Sequence, residues 1–264
     1  MLVMFKAGDD LRQDQMTLQI FRVLENIWLA EGMNLRLTPY GCIATGDEMG
    51  MLEIVPDSET IAAIETGQGG TFGSLQSTPI RKYLELHNKG NVDQAIDYFM
   101  RSCAGYCVAT YIVGLGDRHN DNILCCHDGR LFHIDFGHVL GNFKTVAALG
   151  GFKRERTPFV FTKGMAFAMG GKSSDEYKRF VELCCAAFNF IRLHGEELVT
   201  LFRLMVPAGM PELTCDEDIQ YLVDQLHLGK TDEEASRIFQ AEINAAVSDT
   251  YRRIDNMLHT FKHS

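Results

Sequence analysis

The sequence lacks three features that would each point to a particular class of protein. No stretch of 18 or more apolar residues is free of charge or interruption, so no membrane-spanning helix is predicted. None of the eight cysteines forms a CxxC pair, which argues against a zinc ribbon and a thioredoxin-type site and favours a reducing compartment. A basic excess is also missing, because the formal net charge is −10, and this argues against general affinity for nucleic acid.

The composition, with 46% hydrophobic and 23% charged residues, is typical of a folded protein, and the 264 residues contain no internal repeat. The pattern in the first third predicts a strand over residues 1–5, a helix that includes 16–28, and strands at 35–43 and 50–55. Four glycines between Gly67 and Gly73 predict a loop. We therefore place a boundary here, between a small β-rich unit (1–66) and a larger helical unit (67–264).

The rest of the chain is predicted to be mainly helical around one hairpin. Apolar spacing predicts a buried helix over 92–113, and Asp128-Gly129 joins two apolar runs, 123–126 and 131–134, into a hairpin. Residues 137–163 are predicted to be irregular. Capping-box patterns predict helix starts in the last hundred residues at Ser173-x-x-Glu176, Thr214-x-x-Glu217 and Thr231-x-x-Glu234.

Two polar segments flank this hairpin, GDRHNDN at 116–122 and HIDFGH at 133–138. Asn122 and Asp135 would offer oxygen ligands for magnesium from its two open ends, which pairing of the strands brings together. Phosphoryl transfer requires a metal held in this way and a polar group that receives or orients the attacking hydroxyl. Protein kinases carry related segments, H-R-D-x-x-x-x-N and D-F-G, whereas here Asp117 and His119 exchange the Asp and His positions.

These segments strongly resemble those of the phosphoinositide 3-kinase family. The resemblance extends to FKAGDDLRQD at 5–14, PYGC at 39–42 and FKRERTPF at 152–159, and so covers essentially the whole chain. It implies an α+β, bilobal kinase-like fold of the phosphoinositide 3/4-kinase type, with part of the small lobe and the complete, mainly helical large lobe.

The resemblance also implies roles for individual residues. Lys6 would contact the phosphates of ATP, Asn122 and Asp135 would hold Mg²⁺, and Glu53 and Val55 would offer backbone groups to adenine. The remaining nucleotide-binding positions would be Asp9, Asp14, Tyr40, Leu52, Leu124 and Ile134. His119 would be the base toward the inositol hydroxyl, because the unperturbed pKa of histidine lies near neutral pH, with Asp117 orienting it and His138 close by. The sequence does not decide between His119 and Asp117.

A basic segment follows the two kinase-like motifs and precedes the C-terminal helices, and it is a candidate lipid-binding loop. Residues 144–163 contain five cations and one anion, and Lys153, Arg154 and Arg156 resemble the family's box for phosphorylated inositol headgroups. Residues 145–151 lack a second lysine typical of enzymes that act on the bisphosphate lipid. The choice between phosphatidylinositol and its bisphosphate therefore stays open.

Two further comparisons with the family pattern concern the ends of the sequence. No strand–turn–strand precedes Lys6 to cover the phosphates, so the chain as written is expected to be a fragment that binds ATP poorly. Residues 252–262 resemble a membrane-facing terminal helix, in which Asn256 replaces an expected tryptophan.

The function expected from the resemblance is transfer of the ATP γ-phosphate to the 3-hydroxyl of phosphatidylinositol lipids. The alternatives are a related Ser/Thr protein kinase, or an inactive binding fragment. The expected partners are the phosphoinositide substrate, an anionic membrane surface and a regulatory or adaptor subunit, with no nucleic acid. The expected location is the cytoplasm, with peripheral recruitment to the plasma membrane.

Overall fold

Small antiparallel sheets alternate with helices in the computed structural model, which describes residues 2–70, 73, 76–143, 145–146, 152–153 and 157–248. The strands are β1 (Leu2–Ala7), β2 (Cys42–Gly46), β3 (Met49–Ile54), β4 (Ser58–Thr60), β5 (Ile123–Cys126), β6 (Leu131–His133), β7 (Thr145–Val146) and β8 (Phe152–Lys153). The helices are α1 (Arg12–Ala30), α2 (Ile61–Gly69), α3 (Pro79–His87), α4 (Val92–Val113), α5 (Lys163–Ala168), α6 (Asp175–Leu193), α7 (Gly195–Met205), α8 (Gln220–Leu226) and α9 (Asp232–Ser248), with 3-10 turns at Val206–Ala208 and Asp216–Ile219.

Two three-stranded sheets face the functional cleft. In the first, β3 lies between β1 and β2, and Lys6 of β1 pairs with Gly50 of β3. In the second, β5 lies between β4 and β6, and Ile123 pairs with His133. All these pairings are antiparallel. Short turns join β2 to β3 and β5 to β6, whereas α2, α3 and α4 lie between β4 and β5 in the chain.

The core of the molecule forms around α4, whose residues from Ser102 to Val113 are all buried. Helix α4 packs against α6 and against β6. Helix α1 joins this core through Trp28, whose indole Nε1 donates to the backbone oxygen of Ala187 at 2.9 Å. Among the described residues, no helix combines the length and the apolar character that crossing a bilayer requires.

Two predictions from local sequence patterns, helix α4 and the β5–β6 hairpin, are confirmed. Helix α4 has the predicted bounds, and it ends where Gly114 adopts a left-handed φ of 66°. The hairpin of β5 and β6 turns at Asp128-Gly129, as predicted. Gly129 has a φ of 99°, and a Cβ at this position would lie 2.1 Å from the backbone oxygen of Ala95, so the turn requires glycine.

The predicted strand over residues 35–43 was wrong for residues 35–41, which form no strand. Leu35 and Leu37 are buried against α4 instead, and a Cβ on Gly105 of that helix would lie 2.4 Å from Cδ1 of Leu37. The alternating apolar pattern therefore reflects burial on a helix surface. Pairing begins only at Cys42, the first residue of β2.

The predicted loop at 67–73 was wrong at its start, because α2 continues to Gly69 and ends at Gly70, where φ is 68°. The prediction of a boundary between residues 66 and 67 stays a prediction. β4 precedes that boundary and pairs with β5, which follows it.

Helix starts in the C-terminal part were predicted to within one residue. Thr231 and Glu234 form the predicted reciprocal cap, with bonds of 3.0 and 3.3 Å. The other two predictions were each wrong by one position. Ser174 caps α6, and Cys215 caps the 3-10 turn at Asp216–Ile219, where Asp218 accepts the backbone N–H of Cys215 at 3.1 Å. Residues 137–163 were predicted to be irregular, but they contain the short pair β7–β8. The predicted terminal helix at 252–262 lies outside the described residues.

Candidate active site

A cleft of about 430 Å³ lies between the first sheet and the β5–β6 hairpin. Its lining includes most of the nucleotide and metal positions that the sequence predicted. The lining residues are Met4, Lys6, Asp14, Tyr40, Leu52, Glu53, Ile54, Val55, Ser58, Asn122, Leu124, Phe132, Ile134 and Asp135. Met4, Ile54, Ser58 and Phe132 were not predicted. Met4, Ile54 and Phe132 each lie two residues from a predicted position, so strand alternation could have suggested them, whereas Ser58 has no such signal.

The apolar end of the cleft is formed by both sheets. Leu52 of β3 lies on one side, and Leu124 of β5 and Ile134 lie on the other. Glu53 uses its carboxylate to accept the backbone N–H of Gly41 at 2.8 Å, while its own N–H donates to the Gly41 oxygen at 2.7 Å. Because the carboxylate and the N–H of Glu53 both bond to Gly41, its backbone oxygen is the group that would meet a base, and the hinge role of Glu53 stays a prediction.

Tyr40 forms part of the inner wall together with aromatic rings from the hairpin. It is buried, and its ring is stacked on Phe136 at 6.5 Å between centroids and lies 6.2 Å from Phe132. Phe136 also meets Phe21 of α1 edge-on at 5.5 Å. These contacts make the inner wall rigid, because each ring is held by neighbours from a different element.

The polar end of the cleft begins with Lys6, which forms an ion pair with Asp9 at 2.5 Å. Burial alone would lower the pKa of Lys6, but the bond to Asp9 and the nearby carboxylates of Asp135 and Asp14 raise it, so the ammonium group stays charged. Asp9 was predicted to line the nucleotide pocket. It is not among the lining residues, and its contact with the cleft runs through Lys6.

Asp14 is a buried carboxylate at the start of α1. Desolvation by burial raises its pKa to about 6, although the backbone N–H of Phe136, 3.2 Å away, opposes the rise and the Asp135 carboxylate adds to it. The neighbouring Gln13 donates to the backbone oxygen of Phe136 at 3.0 Å. These two side chains together hold both backbone groups of Phe136. Gln13 was missed by the sequence interpretation, since a polar residue in a helix gives no signal of this contact.

Asn122 and Asp135 are brought together as the hairpin pattern predicts. The backbone N–H of Ile134, next to Asp135, donates to the oxygen of Asn122 at 3.0 Å. The side-chain amide of Asn122 donates from Nδ2 to the Asp117 oxygen at 3.1 Å, which leaves Oδ1 as the acceptor end. An amide oxygen and a carboxylate on one cleft wall fit the hard-oxygen preference of Mg²⁺, so the donor set fits this metal.

Arg118 is a buried arginine that fixes the position of Asp135, and the sequence interpretation gave it no role. Its guanidinium group donates to the backbone oxygens of Gly116 at 2.8 Å, Ile134 at 2.6 Å and Asp135. Burial lowers its pKa to about 10, and the carboxylates of Asp135 and Asp117 limit that fall, so it remains protonated near neutral pH. Asp135 adopts a left-handed φ of 61°, and the bonds from the Arg118 guanidinium group, called the Arg118 clamp below, hold its backbone in this conformation.

The two histidines predicted near the acceptor have different surroundings. His119 has its Nε2 3.2 Å from Nδ2 of Asn122 and its Nδ1 3.6 Å from the Asp121 carboxylate. His138 has its Nδ1 2.8 Å from Oε1 of Glu212, whose other oxygen accepts the backbone N–H of Val139 at 2.5 Å. Beside the carboxylate of Glu212, the imidazole of His138 donates from Nδ1 and leaves Nε2 as a proton acceptor.

Glu212 is another residue that the sequence interpretation missed, and no local pattern could have revealed it, because it lies far along the chain from His138. Asp117, the third predicted catalytic residue, has a left-handed φ of 54°. Of the predicted headgroup residues, Arg154 and Arg156 lie outside the described residues. Lys153 is described only as a backbone position in β8, paired with Thr145.

The arrangement of the cleft can hold a nucleotide base at one end and a metal-bound phosphate at the other. Comparisons with known proteins agree with this. The family model described as phosphatidylinositol 3- and 4-kinase matches residues 1–215. The chain is 46% identical over 265 residues to "Phosphatidylinositol 3-kinase 1" of Dictyostelium discoideum, covering 99% of this chain and 17% of that protein.

Two further relatives show a similar identity over nearly the whole chain. "Phosphatidylinositol 3-kinase 2" of Dictyostelium discoideum is 47% identical over 99% of this chain and 14% of its own length. "Phosphatidylinositol 3-kinase C2 domain-containing subunit gamma" of Rattus norvegicus is 44% identical over 98% of this chain and 17% of its own length. The chain belongs to the phosphatidylinositol 3- and 4-kinase family. It therefore spans about a sixth of the length of these curated relatives.

Proposed function

We propose that this chain supplies the catalytic cleft of a phosphoinositide 3-kinase, which transfers the γ-phosphate of ATP to the 3-hydroxyl of an inositol lipid. The observation that carries the proposal is the single cleft that contains Lys6, Asn122 and Asp135. A lysine, an amide oxygen and a carboxylate at one end of a cleft provide the charge and the ligands that phosphoryl transfer needs. The names of the relatives support lipid as the acceptor.

Each residue has a distinct task in this proposal. Lys6 binds phosphate oxygens, and the backbone of Glu53 and Val55 meets the base between Leu52 and Ile134. The oxygens of Asn122 and Asp135 would hold Mg²⁺, which when bound neutralises charge on the phosphates. Arg118 keeps Asp135 in position by holding its backbone.

The acceptor hydroxyl needs a proton acceptor, and two imidazoles are available. His119 is the base in our proposal, with Asp117 beside it in sequence, and His138, backed by Glu212, takes or relays the proton as the second candidate. Lys153, Arg154 and Arg156 bind the phosphorylated headgroup. The protein acts at an anionic membrane surface, to which it is recruited peripherally from the cytoplasm, and a regulatory or adaptor subunit binds the protein that carries this domain.

The proposal is tested in a chimera in which residues 1–264 replace the matching segment of the Dictyostelium kinase that is 46% identical. With magnesium, labelled ATP and phosphatidylinositol vesicles, the chimera should produce 3-phosphorylated lipid on thin-layer separation. Asp135→Ala should abolish this product, because the other carboxylates that line the cleft, those of Asp14 and Glu53, already accept the backbone N–H groups of Phe136 and Gly41. Label on protein with none on lipid would refute the lipid assignment.

His119→Ala in the same chimera separates binding from chemistry. ATP binding should be retained and lipid phosphorylation should fall on the order of 10²–10⁴-fold, the usual contribution of a general base. If turnover instead falls less than about tenfold, His119 is not the base and His138→Ala becomes the decisive variant.

A further inference from the structure

Two histidines and a glutamate from three separate elements meet outside the catalytic cleft. Glu59 lies in β4, His87 is the last residue of α3, and His127 follows β5 in the hairpin turn. The carboxylate and imidazole atoms that could act as ligands all lie within 4.8 Å of one another. None of these three residues lines the cleft that contains Asn122 and Asp135.

The backbone fixes the three residues relative to one another. Glu59 is paired with Cys125 in the β4–β5 ladder, and the N–H of His127 donates to the oxygen of Asp57 at 2.7 Å. Asn88, directly after His87, donates from Nδ2 to the oxygen of His127 at 2.6 Å. The cluster is therefore a feature of the fold, and it does not depend on one flexible loop.

The two imidazoles are packed but accessible. Their rings are stacked with centroids 3.8 Å apart, and the buried ring of Tyr83 lies 4.6 Å from His87 and 6.0 Å from His127. The Tyr83 hydroxyl donates to the backbone oxygen of Cys125 at 3.2 Å, and this bond fixes the position of the ring on which the two imidazoles pack. Glu59 and His87 are exposed and His127 is half-buried, so an ion can reach the cluster from solvent.

We infer that Glu59, His87 and His127 form a binding site for a late first-row divalent cation, with Zn²⁺ as the ion to test. Two imidazoles and one carboxylate are a ligand set that zinc accepts, with a fourth position left for water. Magnesium and calcium prefer oxygen ligands, so the site discriminates against them. It differs in chemistry from the magnesium ligands of the cleft, which are oxygen atoms.

Ion binding requires the donor atoms to move closer together and the two stacked rings to tilt apart, because each imidazole binds a metal in the plane of its ring. Zn–N distances of about 2.0–2.1 Å and tetrahedral angles place two ligand atoms about 3.3 Å apart, so the donor atoms must close by about 1.5 Å or less. Rotation of the exposed side chains of Glu59 and His87 can supply this movement, and the stacked rings would splay around the ion.

A bound ion would connect the catalytic hairpin with the segment that follows the hinge. β4 begins three residues after Val55, and His127 stands at the turn of the hairpin whose open end carries Asn122 and Asp135. An ion that binds only the folded chain stabilises it by mass action. At a free zinc concentration one hundred times Kd, the melting temperature should rise by roughly 5 °C.

The test is Zn²⁺ titration of the chain by calorimetry, together with thermal melting and the visible spectrum of the Co²⁺ form. We expect one saturable site, a higher melting temperature with zinc but not with the same concentration of magnesium, and the cobalt absorption of a four-coordinate nitrogen and oxygen site. Glu59→Gln, His87→Gln and His127→Gln should each weaken zinc binding by more than tenfold, since losing even an outer-shell partner costs about 10–100-fold.

The matched control is His194→Gln. His194 lies beside Glu197 at 3.0 Å on the surface at the start of α7, so this pair offers one imidazole and one carboxylate without a second imidazole. Its substitution should leave zinc affinity unchanged. The inference is overturned if the triple variant, shown by circular dichroism to be folded, binds zinc as the parent chain does. It is also overturned if the parent shows no saturable zinc site; the two rings would then be only an aromatic stack on Tyr83.

Discussion

At the scale of single residues, one carboxylate of the cleft is buried while its neighbour Asp135 is exposed. The buried carboxylate is that of Asp14, which lies near Asp135 and holds the backbone N–H of Phe136. The pKa of Asp14 is raised to about 6, mainly by desolvation. Ionising it in the folded state therefore costs more than ionising it in the unfolded chain.

This shift predicts a specific pH dependence for stability. A carboxyl whose folded pKa lies above its unfolded value of 3.8 binds its proton more tightly in the folded state, so its contribution is complete below pH 3.8 and is lost as pH rises through about 6. Asp14→Asn removes this dependence and keeps an oxygen for Phe136. From pH 4.5 to pH 8, the variant should gain about 2 kcal/mol in unfolding free energy relative to the parent.

Urea denaturation of both proteins at the two pH values measures this difference, and Asp175→Asn on the exposed start of α6 is the control, with no such gain. A stability difference that does not change between pH 4.5 and pH 8 would contradict the assignment to Asp14.

A second residue-scale prediction concerns Glu212, which accepts from His138 and from the backbone of Val139. In the chimera, Glu212→Ala should lower kcat on the order of 10²-fold if His138 handles the proton, because the imidazole loses the partner that orients it. The KM for ATP should stay unchanged. Glu212→Gln, which retains one acceptor oxygen, should be intermediate. Equal activity of all three proteins would show that Glu212 only supports the loop.

At the scale of elements, the β5–β6 hairpin determines the relative position of Asn122 and Asp135, the proposed metal ligands. Its strand pairing brings Asn122 and Ile134 into register, and Arg118 then connects Gly116 and Asp135 across the open end. Helix α1 holds Phe136 from the opposite side through Gln13 and Asp14. The hairpin is therefore held by the loop that directly precedes it and by a helix that is far from it in sequence.

Removing the Arg118 clamp should lower both the stability of the fold and the affinity for nucleotide. Arg118→Met leaves three backbone oxygens without their charged donor, and we expect a loss of unfolding free energy on the order of 3 kcal/mol. Arg118→Lys should be intermediate, since an ammonium group cannot reproduce the planar fork. Arg130→Met is the control at the other end of the hairpin: its half-exposed bond to Asp128 should contribute no more than about 1 kcal/mol.

These losses are measured by urea denaturation, and nucleotide binding by titration with magnesium and a fluorescent ATP analogue. If Arg118→Met unfolds no more easily than Arg130→Met, the guanidinium group does not hold the hairpin.

At the scale of the whole molecule, a chain with a net charge of −10 concentrates cations in residues 144–163. Such a distribution favours a local anionic target over general adhesion to anionic surfaces. Replacing Lys153, Arg154 and Arg156 with alanine in the chimera should reduce activity on phosphorylated inositol lipids far more than on phosphatidylinositol. The reason is that each added phosphate carries roughly −1.5 to −2 charges near neutral pH.

The two lipids are compared in vesicles of matched surface charge, and Lys163→Ala, at the start of α5, is the control with little expected effect. An equal loss on both lipids, reversed by added phosphatidylserine, would show that these cations serve membrane attachment and do not select the headgroup.

Much of the fold and of the site could be predicted from local sequence. The apolar period of α4 gave its bounds, and Asp128-Gly129 located the hairpin, because both patterns depend on interactions within one element. Asn122 and Asp135 followed from the hairpin, and the resemblance to known kinases supplied most of the remaining cleft residues. The prediction failed at Leu35 and Leu37, where an alternating pattern that suits a strand is used to pack on Gly105.

The sequence by itself determined several of the elements, including α4 and the β5–β6 hairpin, and it predicted a magnesium site at the open end of that hairpin. Only the tertiary structure decided which distant groups support that cleft, such as Arg118 on the backbone of Asp135 and Glu212 on His138. It also decided that Glu59, His87 and His127 meet. The physical reason is that periodicity and turn chemistry act over a few residues, whereas contacts between side chains of distant elements depend on how those elements pack.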